Sequence, residues 1–168
     1  IFHGLCERVE RDATVLGLFR TDQEIQEACV DPVCFDDAAL DNLVALIGKA
    51  GLQVRLFDLT TELEIPVFGA FISRPPVGSL GKWTHFDLAA GYGCHPIPVR
   101  AAIRAVTEAA QTRVTTISAA RDDFEPSTYR EALDDSLMIY PQCQPQLRPG
   151  PVVPGNVIVL PSHLHVFL

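Results

Sequence analysis

Residues 52–72 read Leu-Gln-Val-Arg-Leu-Phe-Asp-Leu-Thr-Thr-Glu-Leu-Glu-Ile-Pro-Val-Phe-Gly-Ala-Phe-Ile. Residues 52–59 alternate as a strand does, with Val54 and Leu56 pointing one way. Residues 65–72 form a second strand. Pro66 places its start at a sheet edge or at the first strand residue, because proline cannot donate to a ladder. Thr60 and Thr61 make the turn between the two. Just upstream, Asp36 and Asp37 open a helix with Leu40, Leu43, Val44 and Ile47 on one face, and Gly48 and Gly51 suit its end. A helix followed by two strands implies an α/β or α+β chain, a mixed sheet packed with helices.

Working outward, residues 1–19 carry Phe2, Leu5, Val9, Ala13, Leu16 and Phe19 near helical spacing, and Asp31-Pro32 breaks the segment that follows. Pro75-Pro76 and Gly78 mark a loop, residues 84–90 a short strand, and Gly91-Tyr92-Gly93 a flexible bend before Cys94-His95-Pro96. Pro98 suits a helix start, and the alanine-rich residues 101–113 continue that helix. Arg121-Asp122-Asp123 closes this section. Beyond Asp135 there is no Asp or Glu, and prolines stand at 141, 145, 149, 151, 154 and 161. These features divide the chain into residues 1–133 and a Pro-rich, irregular C-terminal arm, 134–168, which packs on the domain or links it onward. Residues 157–160 are its one strand candidate.

The chain has 168 residues, enough for one domain with a substantial core. Its 21 acids outnumber 13 bases, giving a net charge of -8. That argues against general nucleic-acid binding and against an anionic membrane surface as partner. No apolar run is long enough to span a bilayer. The five cysteines, Cys6, Cys29, Cys34, Cys94 and Cys143, form no CxxC pair. They read as reduced thiols, and a cytoplasmic location is expected. The chain opens on Ile1 and Phe2 without Met, which reads as processing or as a piece of a longer domain.

Two helical stretches carry paired oxygen ligands. Glu7 and Glu10 lie in GLCERVERDA, and Glu108 and Gln111 in RAVTEAAQTR. Residues three apart share a helix face. Two such faces brought together could hold a hard divalent cation, most plausibly Mg²⁺, and through it a nucleotide's phosphates. Surface helices carry such pairs for solvation alone, and that reading stands beside the functional one. Small residues around Glu108 (Ala101, Ala102, Ala105, Ala109, Ala110) let another element approach closely. His95 reads as a loop histidine. His163 and His165 could face one side of a strand but are weak as a zinc pair. No dinucleotide fingerprint or phosphate loop is present.

Together these blocks resemble the YcaO family. GLCERVERDA resembles its E-x-x-E-R-D-A helix, and residues 51–68 its Gly-x-x-Val, Asp-Leu-Thr and Ile-Pro-Val segment. GYGCHPIPVRAAIRAVTEAAQTR resembles its Gly-x-Gly loop and R-A-x-x-E-A-x-Q-x-R helix, and AARDD the block after. The resemblance covers about residues 1–125 and implies part of a larger YcaO-type domain. It implies an enzyme that uses ATP and Mg²⁺ to activate a backbone amide of a peptide or protein substrate. A nucleophile adds to the amide carbon, the oxyanion takes the γ-phosphoryl of ATP, and phosphate departs. A Cys, Ser or Thr side chain then yields an azoline, and a sulfide source a thioamide.

By the same resemblance Glu7, Glu10 and Glu108 bind metal and Gln111 contacts metal, water or phosphate. Arg11, Arg104 and Arg121 contact phosphate or hold the glutamates. The chain lacks the acidic residue often found in the helix-start segment Pro96-Ile97-Pro98-Val99. It also lacks the family's N-terminal part and the proline-alternating C-terminus of ring-forming members, which favours thioamide formation over a ring. An accessory partner protein and a homo-oligomer both stay open. The rival readings are a non-catalytic scaffold or partner-binding remnant and an unrelated carboxylate-metal phosphohydrolase.

Overall fold

Helix α1 (Phe2–Gly17) begins the chain in the computed structural model, which describes residues 1–75, 83–84, 86–118 and 132–147. Its buried residues are Cys6, Ala13 and Gly17, with Phe2 and Val9 half-buried beside them. The expected face was broader. Leu5, Leu16 and Phe19 remain exposed, because small residues bring the helix close to its neighbours and leave its larger apolar flank uncovered. Helix α2 (Asp22–Ala28) had no counterpart in the sequence reading. Its signal is a capping box, in which the Thr21 hydroxyl accepts from the Glu24 N–H and the Glu24 carboxylate accepts from the Thr21 N–H.

Strand β1 (Cys29–Val30) follows, and then a 3₁₀ turn, Pro32–Phe35, capped by the Asp31 side chain. Helix α3 (Ala38–Lys49) starts where expected. The Asp37 carboxylate accepts from the Ala39 and Leu40 N–H groups, and Gly51 takes a φ of 74° just past the helix end. Strands β2 (Gln53–Asp58), β3 (Val67–Ser73) and β4 (Leu88–Cys94) complete an antiparallel sheet of order β1-β2-β3-β4. Pro66 does stand just ahead of the first β3 residue. Helix α4 (Pro98–Ile117) begins at Pro98.

Every residue of β3 is buried, so both faces of the sheet are covered. On one face Val54, Leu56, Phe68, Ala70 and Ile72 pack with Leu40 of α3 and with Ala101, Ala105, Val106 and Ala109 of α4. On the other, Phe57, Val67, Phe71 and Cys94 pack with Cys6 and Ala13 of α1 and with Ile25 of α2. Each fully buried aromatic or branched side chain here contributes roughly 1.5–3 kcal/mol.

Two sequence expectations are corrected around β4. The strand runs over Leu88–Cys94 rather than residues 84–90, and Gly91-Tyr92-Gly93 lies inside it rather than forming a bend. The reason is steric. A Cβ at Gly91 would sit 2.6 Å from the Ala105 carbonyl oxygen, and one at Gly93 2.7 Å from the Ala105 nitrogen. The glycines serve the close approach of α4, not a turn.

Residues 134–147 pack on the sheet. Their 3₁₀ segment (Asp135–Gln142) stacks Tyr140 on Phe71 at 4.0 Å between ring centroids. Arg55 Nε donates to the Cys143 carbonyl at 2.8 Å and Gln53 Nε2 to that of Pro141 at 2.9 Å. Gln146 bridges in parallel to Val30. Arg121-Asp122-Asp123, Pro76 and Gly78, residues 157–160, His163 and His165 lie outside the described residues. No helix among the described residues is long and apolar enough to cross a membrane.

Candidate functional site

Helix α1 lies on one face of the sheet and α4 on the other, and both contact β4. Among the described residues no strand pairs with β4 on the side away from β3. Glu10 from α1 and Glu108 from α4 reach this edge from opposite sides. Glu108 Oε2 accepts from the Tyr92 N–H at 2.8 Å, and the Glu10 carboxylate lies near the Cys94 N–H, which favours its charged form. Those amides are two residues apart along one strand, a spacing of about 7 Å. The sequence pairs Glu7/Glu10 and Glu108/Gln111 thus contribute one carboxylate each to a common edge.

The electrostatics agree with that placement. Burial pushes the Glu10 carboxyl above its ordinary range, and the negative charge of Glu108 pushes it further. The Cys94 N–H and the Arg104 guanidinium oppose the shift without cancelling it. Glu10 is thus a half-buried carboxylate with a second carboxylate beside it. Arg104 is the cation within reach, and its guanidinium also lies 3.4 Å from His3 Nδ1. Beneath the edge the Cys6 and Cys94 thiols pack in one buried cluster. Burial raises both, Cys94 to about 12, so neither is an available nucleophile.

The remaining sequence candidates are placed differently. Glu7 is exposed and bonded to Arg11 at 2.8 Å, and Arg11 is 73% exposed, so this pair is a solvated i,i+4 bridge. Gln111 is exposed one turn beyond Glu108, and Arg121 lies outside the described residues. Among the described residues no three His, Cys, Asp or Glu side chains are gathered as ready-made metal ligands. Glu10 and Glu108 still fit a hard divalent cation in the chemistry of their oxygens. An open groove lined by Arg20, Glu24, Glu27, Asp58 and Thr60 is accounted for locally, since Glu24 caps α2 and Arg20 donates to the Asp58 carbonyl.

The model of the family described as YcaO cyclodehydratase, ATP- and Mg²⁺-binding, matches residues 1–151. The chain belongs to the YcaO family. The match takes in part of the arm beyond residue 134, where the sequence comparison had stopped at about residue 125. Among curated relatives, this YcaO chain is 44% identical over 132 residues to a Rhizobium leguminosarum bv. trifolii protein, described as the uncharacterized protein in the tfuA 3′ region. It is 33% identical over 128 residues to an uncharacterized protein of Methanothermobacter thermautotrophicus. The alignments cover 77% and 73% of this chain but 31% and 30% of those relatives, so the chain spans about a third of their length.

Among solved structures, the fold is similar to a heterocyclase in complex with substrate and cofactor, with TM-score 0.59 and 24% identity. That likeness covers 85% of this chain and 18% of the other. It is also similar to the E. coli microcin synthetase McbBCD complex with pro-MccB17 bound, with TM-score 0.52 and 17% identity, over 77% and 32%. At these identities the likeness concerns the fold.

Three features of the site escaped the sequence reading: the Tyr92 amide as a carboxylate donor, the burial of His95, and the packing role of Gly91 and Gly93. A signal existed for the last. Glycines two apart in a strand face alanines four apart in a helix, and each pattern explains the other.

Proposed function

We propose that this chain is the part of a YcaO-type enzyme that presents Mg²⁺ to ATP for O-phosphorylation of a peptide or protein backbone amide. The observation that carries the reading is the approach of Glu10 and Glu108 to one another at the outer side of β4. Glu10 and Glu108 would hold the cation, with Gln111 one helical turn away. When bound, Mg²⁺ supplies the charge that neutralises the triphosphate. Arg104 keeps the edge from being wholly anionic and orients Glu10 from α4. The Tyr92 amide fixes Glu108 before any ligand arrives, which lowers the cost of assembling the site.

The resulting chemistry is azoline or thioamide formation. In both, a nucleophile adds to the amide carbon, the oxyanion takes the γ-phosphoryl to give ADP, and phosphate leaves with the former amide oxygen. Water is lost overall in the first, and oxygen is exchanged for sulfur in the second, so intact mass of a treated peptide separates them. A partner protein and the remaining two-thirds of the length seen in the curated relatives belong to this proposal, as does a cytoplasmic location.

Calorimetric titration with ATP, with and without Mg²⁺, tests the reading. Mg²⁺-dependent binding is expected, and Glu10→Gln and Glu108→Gln should each weaken it by about tenfold or more. Equal binding of metal-free ATP, or unchanged affinity in both variants, contradicts the assigned roles. Absence of nucleotide binding together with a defined oligomer would favour a scaffold.

A further inference from the structure

We infer that His95 is a positioning residue that fixes the relative placement of α1 and α4, and with it the approach of Glu10 to Glu108. Its functional consequence rests on the reading of that pair as the Mg²⁺·ATP site. The geometry does not.

His95 is 7% exposed and is engaged by three elements. Its backbone N–H donates to the Pro66 carbonyl at 3.1 Å, tying it to the start of β3. Its Nδ1 accepts from the Ile97 N–H at 2.9 Å. Ile97 is the residue that caps α4, and its own side chain makes no capping hydrogen bond. The imidazole therefore satisfies the N–H of the N-cap residue, the donor that the N3 Glu or Gln of a capping box would otherwise take. On its other side the ring meets Phe2 of α1 edge-on, with centroids 5.9 Å apart and planes at 77°. One side chain thus touches the first residue of α1 and the cap of α4. It also directly follows Cys94, whose amide lies near the Glu10 carboxylate.

Accepting at Nδ1 requires the neutral ring with its proton on Nε2. Burial, and then Arg100 and Arg104, lower its pKa and keep it in that form. A histidine here has a demand that phenylalanine or leucine could not meet. The ring must be apolar enough to pack on Phe2 and must still offer one acceptor toward Ile97.

The experiment compares wild type, His95→Asn, His95→Ala and Phe2→Ala as full chains. The readouts are amide hydrogen exchange at Tyr92, Cys94 and Ile97 and affinity for Mg²⁺·ATP. Asn can accept from an N–H two residues on. His95→Asn should therefore retain Ile97 protection and lose no more than about threefold in affinity. His95→Ala should expose all three amides and weaken Mg²⁺·ATP by about tenfold. Phe2→Ala, which leaves the α4 cap alone, should speed exchange at Cys94 and spare Ile97. That variant keeps the test decisive if His95→Ala does not fold. Unchanged exchange at Tyr92 and Cys94 in a folded His95→Ala overturns the inference, as does a folded His95→Asn that loses Ile97 protection. Should wild type fail to bind Mg²⁺·ATP while the exchange pattern appears as described, the positioning role is upheld and the nucleotide reading falls.

Discussion

The two sides of β4 are built on different terms. On the α4 side the helix backbone rests almost directly on Gly91 and Gly93, with alanines at 101, 105 and 109 filling the remainder. On the α1 side the contact is made through side chains: Cys6 to Cys94 and Phe2 to His95. Backbone contact leaves no slack, whereas side-chain contact can repack. Glu108 is therefore carried by a rigid helix, and Glu10 by one whose position depends on a few replaceable contacts.

The largest expected effect breaks the rigid side. Gly91→Ala or Gly93→Ala puts a Cβ inside the van der Waals shell of the α4 backbone, which cannot move aside as a side chain would. Ala gains roughly 0.5–1 kcal/mol over Gly in strand conformation, but the collision outweighs it. We expect destabilisation of about 3 kcal/mol or more by urea melts. A cost under 1 kcal/mol would mean that α4 is not held by backbone contact. The matching change on the other side is Cys6→Ala, which removes a buried thiol from a pliable contact. It should cost about 1 kcal/mol in the same melts.

A smaller effect concerns pH. The His95 pKa is depressed on folding, so the stability it contributes is present above the ordinary value of about 6.5 and is lost as pH falls through the folded value. Lowering pH from 7 to 5.5 should therefore cost wild type about 2 °C more in Tm than it costs His95→Asn. Parallel pH profiles for the two would remove His95 from the account. The smallest effect is outside the comparison altogether. Arg11→Ala breaks only an exposed bridge to Glu7 and should change stability by less than about 0.5 kcal/mol. A larger loss would bring Glu7 and Arg11 back into the site.

Much of this was legible in the sequence because local patterns carried it. Asp37 announced α3, Pro98 announced α4, and the alternation around Val54 and Leu56 gave β2 with its inward side. The glutamate pairs were visible as pairs. What was not legible depended on tertiary contact. Glycine in a strand is read locally as a bend, and only the helix above it shows why a side chain is excluded. Which glutamate of a pair turns inward depends on where the helix lies on the sheet. Glu7 and Glu10 have similar sequence credentials, yet one pairs with Arg11 in solvent and the other is half-buried near β4. The α2 capping box was present in Thr21 and Glu24 but is short and lacks a long apolar pattern behind it.

The central claim is that Glu10 and Glu108, from helices on opposite faces of the sheet, work as one ligand site. A double-mutant cycle on Mg²⁺·ATP affinity, using Glu10→Gln, Glu108→Gln and the pair, addresses it most directly. The account predicts strong non-additivity, with the double variant little weaker than either single one. Losses that simply add would show two carboxylates acting separately and would contradict it.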